Sequence, residues 1–239
     1  MFRLDFPRLL AAARREIGAA SALLIATLGA MGFLAIADEV AEGETHALDL
    51  AVLRALRVEG QPQTLIGPHW LHVAATDVTA LGSVTVLGLI ILLAFALLAS
   101  LRRWSEGALL LAGAGGGLLI SQGLKRVFGR ERPELAYRAV EAVNASFPSG
   151  HAMLSAVVFL TLGVLTARFA DRRRVRVLAM SAAVLLSLLV GASRVYLGVH
   201  WASDVLAGWC VGAAWAMACW LAAYLVQRRF TPSSASDAT

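Results

Sequence analysis

The chain has 239 residues, 59% of them hydrophobic and 15% charged, with a mean hydropathy of +0.71 and a formal net charge of +5. A soluble domain carries about 25% charged residues, so this composition excludes an ordinary water-soluble fold and makes the bilayer the natural solvent. The positive charge sits in short clusters between long apolar runs rather than along one basic face, which argues against a nucleic-acid partner.

Apolar runs long enough to span, about 17–25 residues, occur at 18–37, 80–100, 106–124, 152–169, 177–193 and 205–226. They predict an all-α polytopic membrane protein, a six-transmembrane-helix bundle forming a single domain over residues 1–230. The opening "MFRLDFPRLLAAARRE" is arginine-rich and has no small-residue cleavage site, so the first span is expected to be an uncleaved signal anchor. The connection from Asp38 to about Thr79 contains "THALDLAVLRALR", in which Leu50, Leu53 and Arg57 recur at helical spacing with Asp49 and Arg54 elsewhere on the wheel. A short extracytoplasmic helix lying in the interface is predicted there, as a plain connector or as a roof that guides a lipid. His46, His69 and His72 of this connection read as surface residues, since none has an acidic or cysteine partner at ligand spacing.

The third span, "GALLLAGAGGGLLISQGL", is glycine-heavy, and the sixth carries Gly208 and Gly212; both patterns predict close helix packing, with a substrate groove as the alternative. Cys210 and Cys219 lie nine residues apart on the sixth span. They fall on opposite faces with about 13 Å of rise between them, beyond disulfide reach, and read as packing residues. The polar tail "TPSSASDAT", 231–239, is expected to be disordered.

Taking alternate connections as one side, the N-terminus, "LRRW", "RFADRRRVR" and "QRRF" hold 13 of the 21 basic residues. The other side holds Arg54, Arg57, Lys125, Arg126, Arg130, Arg132, Arg138 and Arg194. The positive-inside rule places both termini in the cytoplasm of a multi-pass plasma (inner) membrane protein.

Three charged clusters remain, all at the outer ends of helices. In "LKRVFGRERPE", Lys125 and Arg132 are seven residues apart and share a helix face; Pro133 disfavours helix at the residue before it, so Arg132 can turn back towards Lys125. The pair forms an anion site or a basic snorkelling fringe. In "ASFPSGHAM", Ser149 is a good N-cap, Gly150 permits close backbone approach, and His151 lies in the first turn, where free N–H groups and the macrodipole favour phosphate. In "SRVYLGVHWASD", His200 and Asp204 are i and i+4 neighbours. The carboxylate can accept the Nδ1 proton and leave the Nε2 lone pair free, as in nucleophilic or general-base histidines, or the two can be a buried structural pair. Six spans put the loops 125–150 and 194–204 on the same face of the membrane. Three cations, two histidines, a carboxylate and a helix N-terminus gathered at one surface suit phosphoryl transfer. Arg126, Arg130 and Arg138 receive no role and are expected to stay solvated, with contact to anionic headgroups as the alternative.

The ordered pieces Lys125–Pro133 ("K-x6-RP"), Pro148–His151 ("PSGH") and Ser193–Asp204 ("SR-x5-H-x3-D") resemble the three-part signature of the type 2 phosphatidic acid phosphatase (PAP2) superfamily. The resemblance implies that His200 attacks phosphorus to give a phosphohistidine, that Asp204 holds its tautomer, and that His151 protonates the departing oxygen. Lys125, Arg132, Ser149, the Gly150 amide and Arg194 would cradle the phosphoryl oxygens. It further implies no cofactor and no metal, because the cations supply the charge a magnesium would bring. The function so implied is a metal-independent membrane lipid phosphatase acting on phosphatidate, phosphatidylglycerol phosphate or a polyprenyl pyrophosphate such as the undecaprenyl carrier. Its partners would be the lipid substrate and the bilayer, with no obligatory protein partner. Two histidines in opposite protonation states predict a bell-shaped pH–rate profile. The nearest alternative is a lipid phosphotransferase using the same site. A transporter is disfavoured because the charges lie at helix ends rather than centres, a non-catalytic lipid-binding relative because His151, His200 and Asp204 are intact, and the soluble haloperoxidases that share the motif because of composition.

Overall fold

The computed structural model describes residues 6–142 and 144–230; the tail expected to be disordered lies outside the described residues. In chain order the helices are α1 (Phe6–Glu42), α2 (His46–Ala55), α3 (His69–Ala80), α4 (Val84–Ser100), α5 (Trp104–Phe128), α6 (Gly150–Phe169), α7 (Arg173–Tyr196) and α8 (Ala202–Phe230), with a 3-10 turn at Leu135–Tyr137. Among the described residues five helices are long and apolar enough to cross a bilayer, and α3 with α4, bent by 53°, is a sixth when the pair is taken as one span.

The bend corrects the expected second span. With 17 residues, α4 rises only about 25 Å, short of the roughly 30 Å hydrocarbon core. The chain makes up the difference with α3 and changes direction at Leu81–Ser83, where Ser83 accepts a hydrogen bond from the Val86 amide and starts α4. The connection before it holds more than the interfacial helix: a small antiparallel hairpin, β1 (Arg57–Val58) and β2 (Gln61–Leu65), separates α2 from α3.

At the centre lies α6, packed against α4, α5, α7 and α8. Its residues from Ala152 to Phe159 are all buried, as expected of a helix apolar all round and enclosed by others. The glycines of α5 and α8 permit this enclosure. A Cβ on Gly117 would stand 3.3 Å from Val157, and one on Gly212 would stand 2.6 Å from the Met153 carbonyl. The outer helices instead expose leucine-rich faces, such as Leu24, Leu28 and Leu34 on α1 and Leu89, Leu92 and Leu93 on α4. In water such patches would demand a partner; here lipid covers them. Cys210 and Cys219 are both free thiols.

Helix α2 turns Leu53 and Arg57 of the predicted row inward and leaves Arg54 exposed. Its buried face is Thr45, Asp49, Leu53 and Arg57, an i, i+4 row, and Asp49 is only 1% exposed. Asp49, which lies off the Leu50, Leu53, Arg57 row, therefore also points into the protein.

Candidate active site

Four helix ends meet beneath the loops that follow α5 and α7. Gly129 ends α5 in a left-handed conformation (φ +53°) and its amide bonds the Lys125 carbonyl, which turns the GRERP segment across the bundle. After α7, Gly198 takes φ +69°, and a Cβ there would overlap the Tyr137 carbonyl and the Arg57 guanidinium. The chain can thus reverse within a few residues and start α8 beside His200.

Between these turns, Phe147 fixes the segment that enters α6. Its ring is fully buried, stacked on Phe33 at 5.9 Å and set edge-on to Phe128 at 4.8 Å. The flanking serines are held in turn. The Ser149 hydroxyl accepts from the Ala152 amide as the cap of α6, and the Ser149 amide donates to the Asp204 carbonyl at 3.0 Å. The entry to α6 is thereby tied to the first turn of α8.

The structure brings all eight residues singled out in the sequence into this region. The Arg132 Nη1 donates to the Val199 carbonyl at 2.6 Å and lies 3.1 Å from His200 Nε2, while its Nε donates to the Asn144 carbonyl. The Lys125 ammonium donates to the Ala145 carbonyl, and Lys125 Cε is 3.7 Å from where a Gly150 Cβ would stand. Arg194, 5% exposed, donates from Nη1 to the Thr79 hydroxyl at 2.9 Å, and its buried Nε has no partner among the described residues. Lys125, Arg132 and Arg194 all lie within electrostatic reach of His151, and Arg132 and Arg194 within reach of His200. Among the described residues the half-buried His151 ring has no hydrogen-bond partner; its Cδ2 faces Gly82, at the bend between α3 and α4.

The His200 tautomer follows from its neighbours. Arg132 remains a cation, so its N–H donates to Nε2 and the ring proton sits on Nδ1. That nitrogen lies 3.3 Å from both Asp204 Oδ2 and the Ser146 hydroxyl. Burial, partly offset by Asp204 and reinforced by Arg132 and Arg194, pushes His200 down to about 3, which keeps the ring neutral at physiological pH. Asp204 has no exposed surface and accepts from Arg130, Ser146, the Trp201 amide and His200. Chemically this is a neutral, oriented imidazole beside three cations that repel one another, which is the electrostatics of an anion site.

Two expectations are corrected here. Arg126 is exposed as predicted, but Arg130 is not solvated: it bridges Asp204 and Asp49 at 2.7 Å each. Arg138 is half-buried and donates to the Pro133 carbonyl. Sequence reasoning also missed Ser146, Thr79, Asp49 and Ser203. Asp49 carried one signal, a lone carboxylate inside the apolar stretch "ALDLAVL". Among the described residues no three His, Cys, Asp or Glu side chains form a metal-ligand set.

Comparison with known proteins agrees with this geometry. Residues 106–228 match the PAP2 superfamily model. Phosphatidylglycerophosphatase B of Bacillus subtilis is 31% identical over 184 residues, 75% of this chain and 85% of its own length. An undecaprenyl-diphosphatase of Sulfolobus acidocaldarius is 40% identical over 68 residues, 28% of this chain and 29% of its own. Among solved structures, a transmembrane PAP2-type phosphatidylglycerolphosphate phosphatase from Bacillus subtilis superposes with a TM-score of 0.75 at 27% identity, covering 86% of this chain and 96% of that one. Aquifex aeolicus LpxE, at 20% identity, shares the fold with a TM-score of 0.51 over 77% of this chain and 96% of its own. With the matched segment spanning half the sequence and the fold continuing beyond it, the chain belongs to the PAP2 superfamily, as a membrane phosphatase of the lipid-phosphate-hydrolysing kind.

Proposed function

We propose that this protein hydrolyses a lipid phosphate by way of a phosphohistidine on His200, residues 1–230 acting as one catalytic domain. The observation that carries the reading is the setting of the His200 ring: Nδ1 against Asp204, and Nε2 against Arg132 at 3.1 Å. An incoming phosphate dianion displaces Arg132 from Nε2 by offering it a stronger, charge-assisted partner. The Nε2 lone pair then attacks phosphorus, the bond from phosphorus to the lipid oxygen breaks, and His151 gives that oxygen its proton. In the second step His151 takes a proton from water, the oxygen attacks phosphorus, the P–N bond breaks and inorganic phosphate leaves. Lys125, Arg132, Arg194, Ser149 and the Gly150 amide hold the non-bridging oxygens through both steps, supplying charge stabilisation where it develops. Asp204 keeps the proton on Nδ1 throughout.

Among the lipid phosphates, phosphatidylglycerol phosphate is favoured by the long match to a phosphatidylglycerophosphatase, ahead of phosphatidate and polyprenyl pyrophosphate. The excess of arginine on the side of both termini supports an active site on the extracytoplasmic face. The test is phosphate release from these three lipid classes in detergent micelles, without an added acceptor, by wild type and His200→Ala. Wild type is expected to release phosphate from at least one, and His200→Ala to lose about 10³-fold or more. Equal rates would remove the nucleophile, and release only when a second lipid is supplied would make the protein a transferase.

A further inference from the structure

Among the charged side chains without a role in the reaction above, Arg130 is the most heavily bonded. Its Nη1 donates to Asp204 Oδ1 and to the Ser203 hydroxyl, each at 2.7 Å. Its Nη2 donates to Asp49 Oδ2 at 2.7 Å and to the Thr45 hydroxyl at 3.1 Å. Asp49 in turn accepts from the Ser203 amide at 2.9 Å and from its hydroxyl, placing a carboxylate on the first turn of α8, where the macrodipole favours it. Both terminal nitrogens of the Arg130 fork are therefore committed to carboxylates, and Arg130 has no free arm for a phosphate.

The consequence falls on Asp204. Its Oδ2 accepts from His200, Ser146 and the Trp201 amide, while Oδ1 is held by Arg130. A carboxylate pinned at one oxygen presents the other in a fixed direction, and here that direction sets the plane of the imidazole. Arg130 is fixed only because Asp49 takes the second half of its fork, in the planar two-pronged geometry that a lysine cannot reproduce. We propose that Asp49 and Arg130 form a clamp that positions Asp204 and, through it, the His200 ring, so that α2 is a working part of the active site rather than a connector. The inference rests on His200 being the nucleophile. Asp49 and Arg130 are positioning residues that touch neither substrate nor phosphorus.

The experiment compares Arg130→Lys, Asp49→Asn and the double variant with two references, exposed Arg54→Gln on α2 and His200→Ala. The readouts are folded yield, kcat and KM for short-chain phosphatidylglycerol phosphate and phosphatidate, and inhibition by inorganic phosphate. Misplacement of a catalytic group by about 1 Å costs roughly 10²-fold, so each single variant is expected to lower kcat by ten- to a hundredfold. KM and phosphate inhibition should stay within about twofold, because uniform binding is untouched. The double variant should lose no more than the worse single one, since both break the same linkage. Arg54→Gln should match wild type. Folded Arg130→Lys and Asp49→Asn with wild-type kcat, beside an inactive His200→Ala, would overturn the clamp alone. A raised KM with kcat kept would make Arg130 a phosphate ligand and overturn it too. Loss of folded protein in all three clamp variants, with Arg54→Gln intact, would reduce the pair to a folding role. An active His200→Ala would instead overturn the nucleophile, and the clamp with it.

Discussion

Gly208 tests whether the spacing of α6 and α8 sets the geometry of catalysis. It lies four residues after Asp204, on the same face of α8. A Cβ added there would stand 2.8 Å from the Ser149 carbonyl oxygen, 3.1 Å from Ala152 Cβ and 3.2 Å from the Met153 amide nitrogen. The first of these falls about 0.6 Å short of the 3.4 Å at which ordinary contact begins. The neighbour is backbone: the Ser149 carbonyl closes the first turn of α6 by accepting from Met153 at 2.9 Å, so it cannot turn aside. Gly208→Ala must then part the two helices, and with them Asp204 from Ser149 and His200 from the proposed phosphate cradle. If 1 Å costs about 10²-fold, a shift of this size lowers kcat roughly ten- to twentyfold. Overpacking costs about 1–3 kcal/mol against about 1 kcal/mol gained from helix propensity, so Tm should fall or hold rather than rise. The assay is kcat and Tm of the purified variant beside Gly115→Ala, where a Cβ meets nothing within 4 Å and kcat should not change. Wild-type kcat in Gly208→Ala would refute the reasoning.

Thr79→Val removes the hydroxyl that receives Arg194 Nη1 while Arg194 Nε already lacks a partner; losing about 1 kcal/mol of positioning should raise KM about fivefold with a smaller change in kcat, and an unchanged KM would detach α3 from the site. Arg57→Leu leaves the Tyr196 and Tyr137 carbonyls without their donor, which should lower stability by about 1–3 kcal/mol in chemical or thermal unfolding; an unchanged Tm would refute it. The His200 value is depressed from 6.5 to about 3, so the acid limb of kcat/KM should lie well below pH 6. The same depression means the unfolded chain binds a proton that the folded one refuses. The stability from neutral His200 is therefore complete above pH 6.5 and is lost as pH falls towards 3. An acid limb between pH 6 and 7 in the free enzyme would contradict this environment.

The sequence made the signature residues legible because two kinds of information met. Motif spacing identified Lys125, Arg132, Ser149, His151, Arg194, His200 and Asp204, and six apolar runs placed their loops on one side. The supports were not legible, for a physical reason. Arg130 meets Asp49 across 81 positions and Arg194 meets Thr79 across 115, and no local period encodes either contact. The burial of Asp49 was hidden for a related reason: the helical period of α2 set it off the apolar row, and what draws it inward is an arginine from elsewhere in the chain. The bend at Gly82 was hidden because α3, with Asp77, Thr76 and two histidines, is too polar to join an apolar window.

These supports also account for the modest asymmetry of basic residues. Eight of the 21 lie on the side of the active site, more than the positive-inside tendency would leave there. Six of the eight are drawn into the fold. Lys125, Arg132 and Arg194 surround the two histidines, Arg57 gathers carbonyls from three segments, Arg130 joins two buried carboxylates, and Arg138 holds the Pro133 carbonyl. Only Arg54 and Arg126 are exposed. A cation drawn into the fold must be compensated, and each of the six finds oxygen or nitrogen acceptors or faces the anion site. The proposed orientation therefore rests on where cations are free as well as on how many there are. By that measure the face that carries the site is acidic outside the pocket, with Asp38, Glu39, Glu42, Glu44, Glu59, Asp77, Glu131, Glu134 and Glu141 exposed against Arg54 and Arg126, and the positive charge gathered at Lys125, Arg132 and Arg194 is where a lipid phosphate would bind.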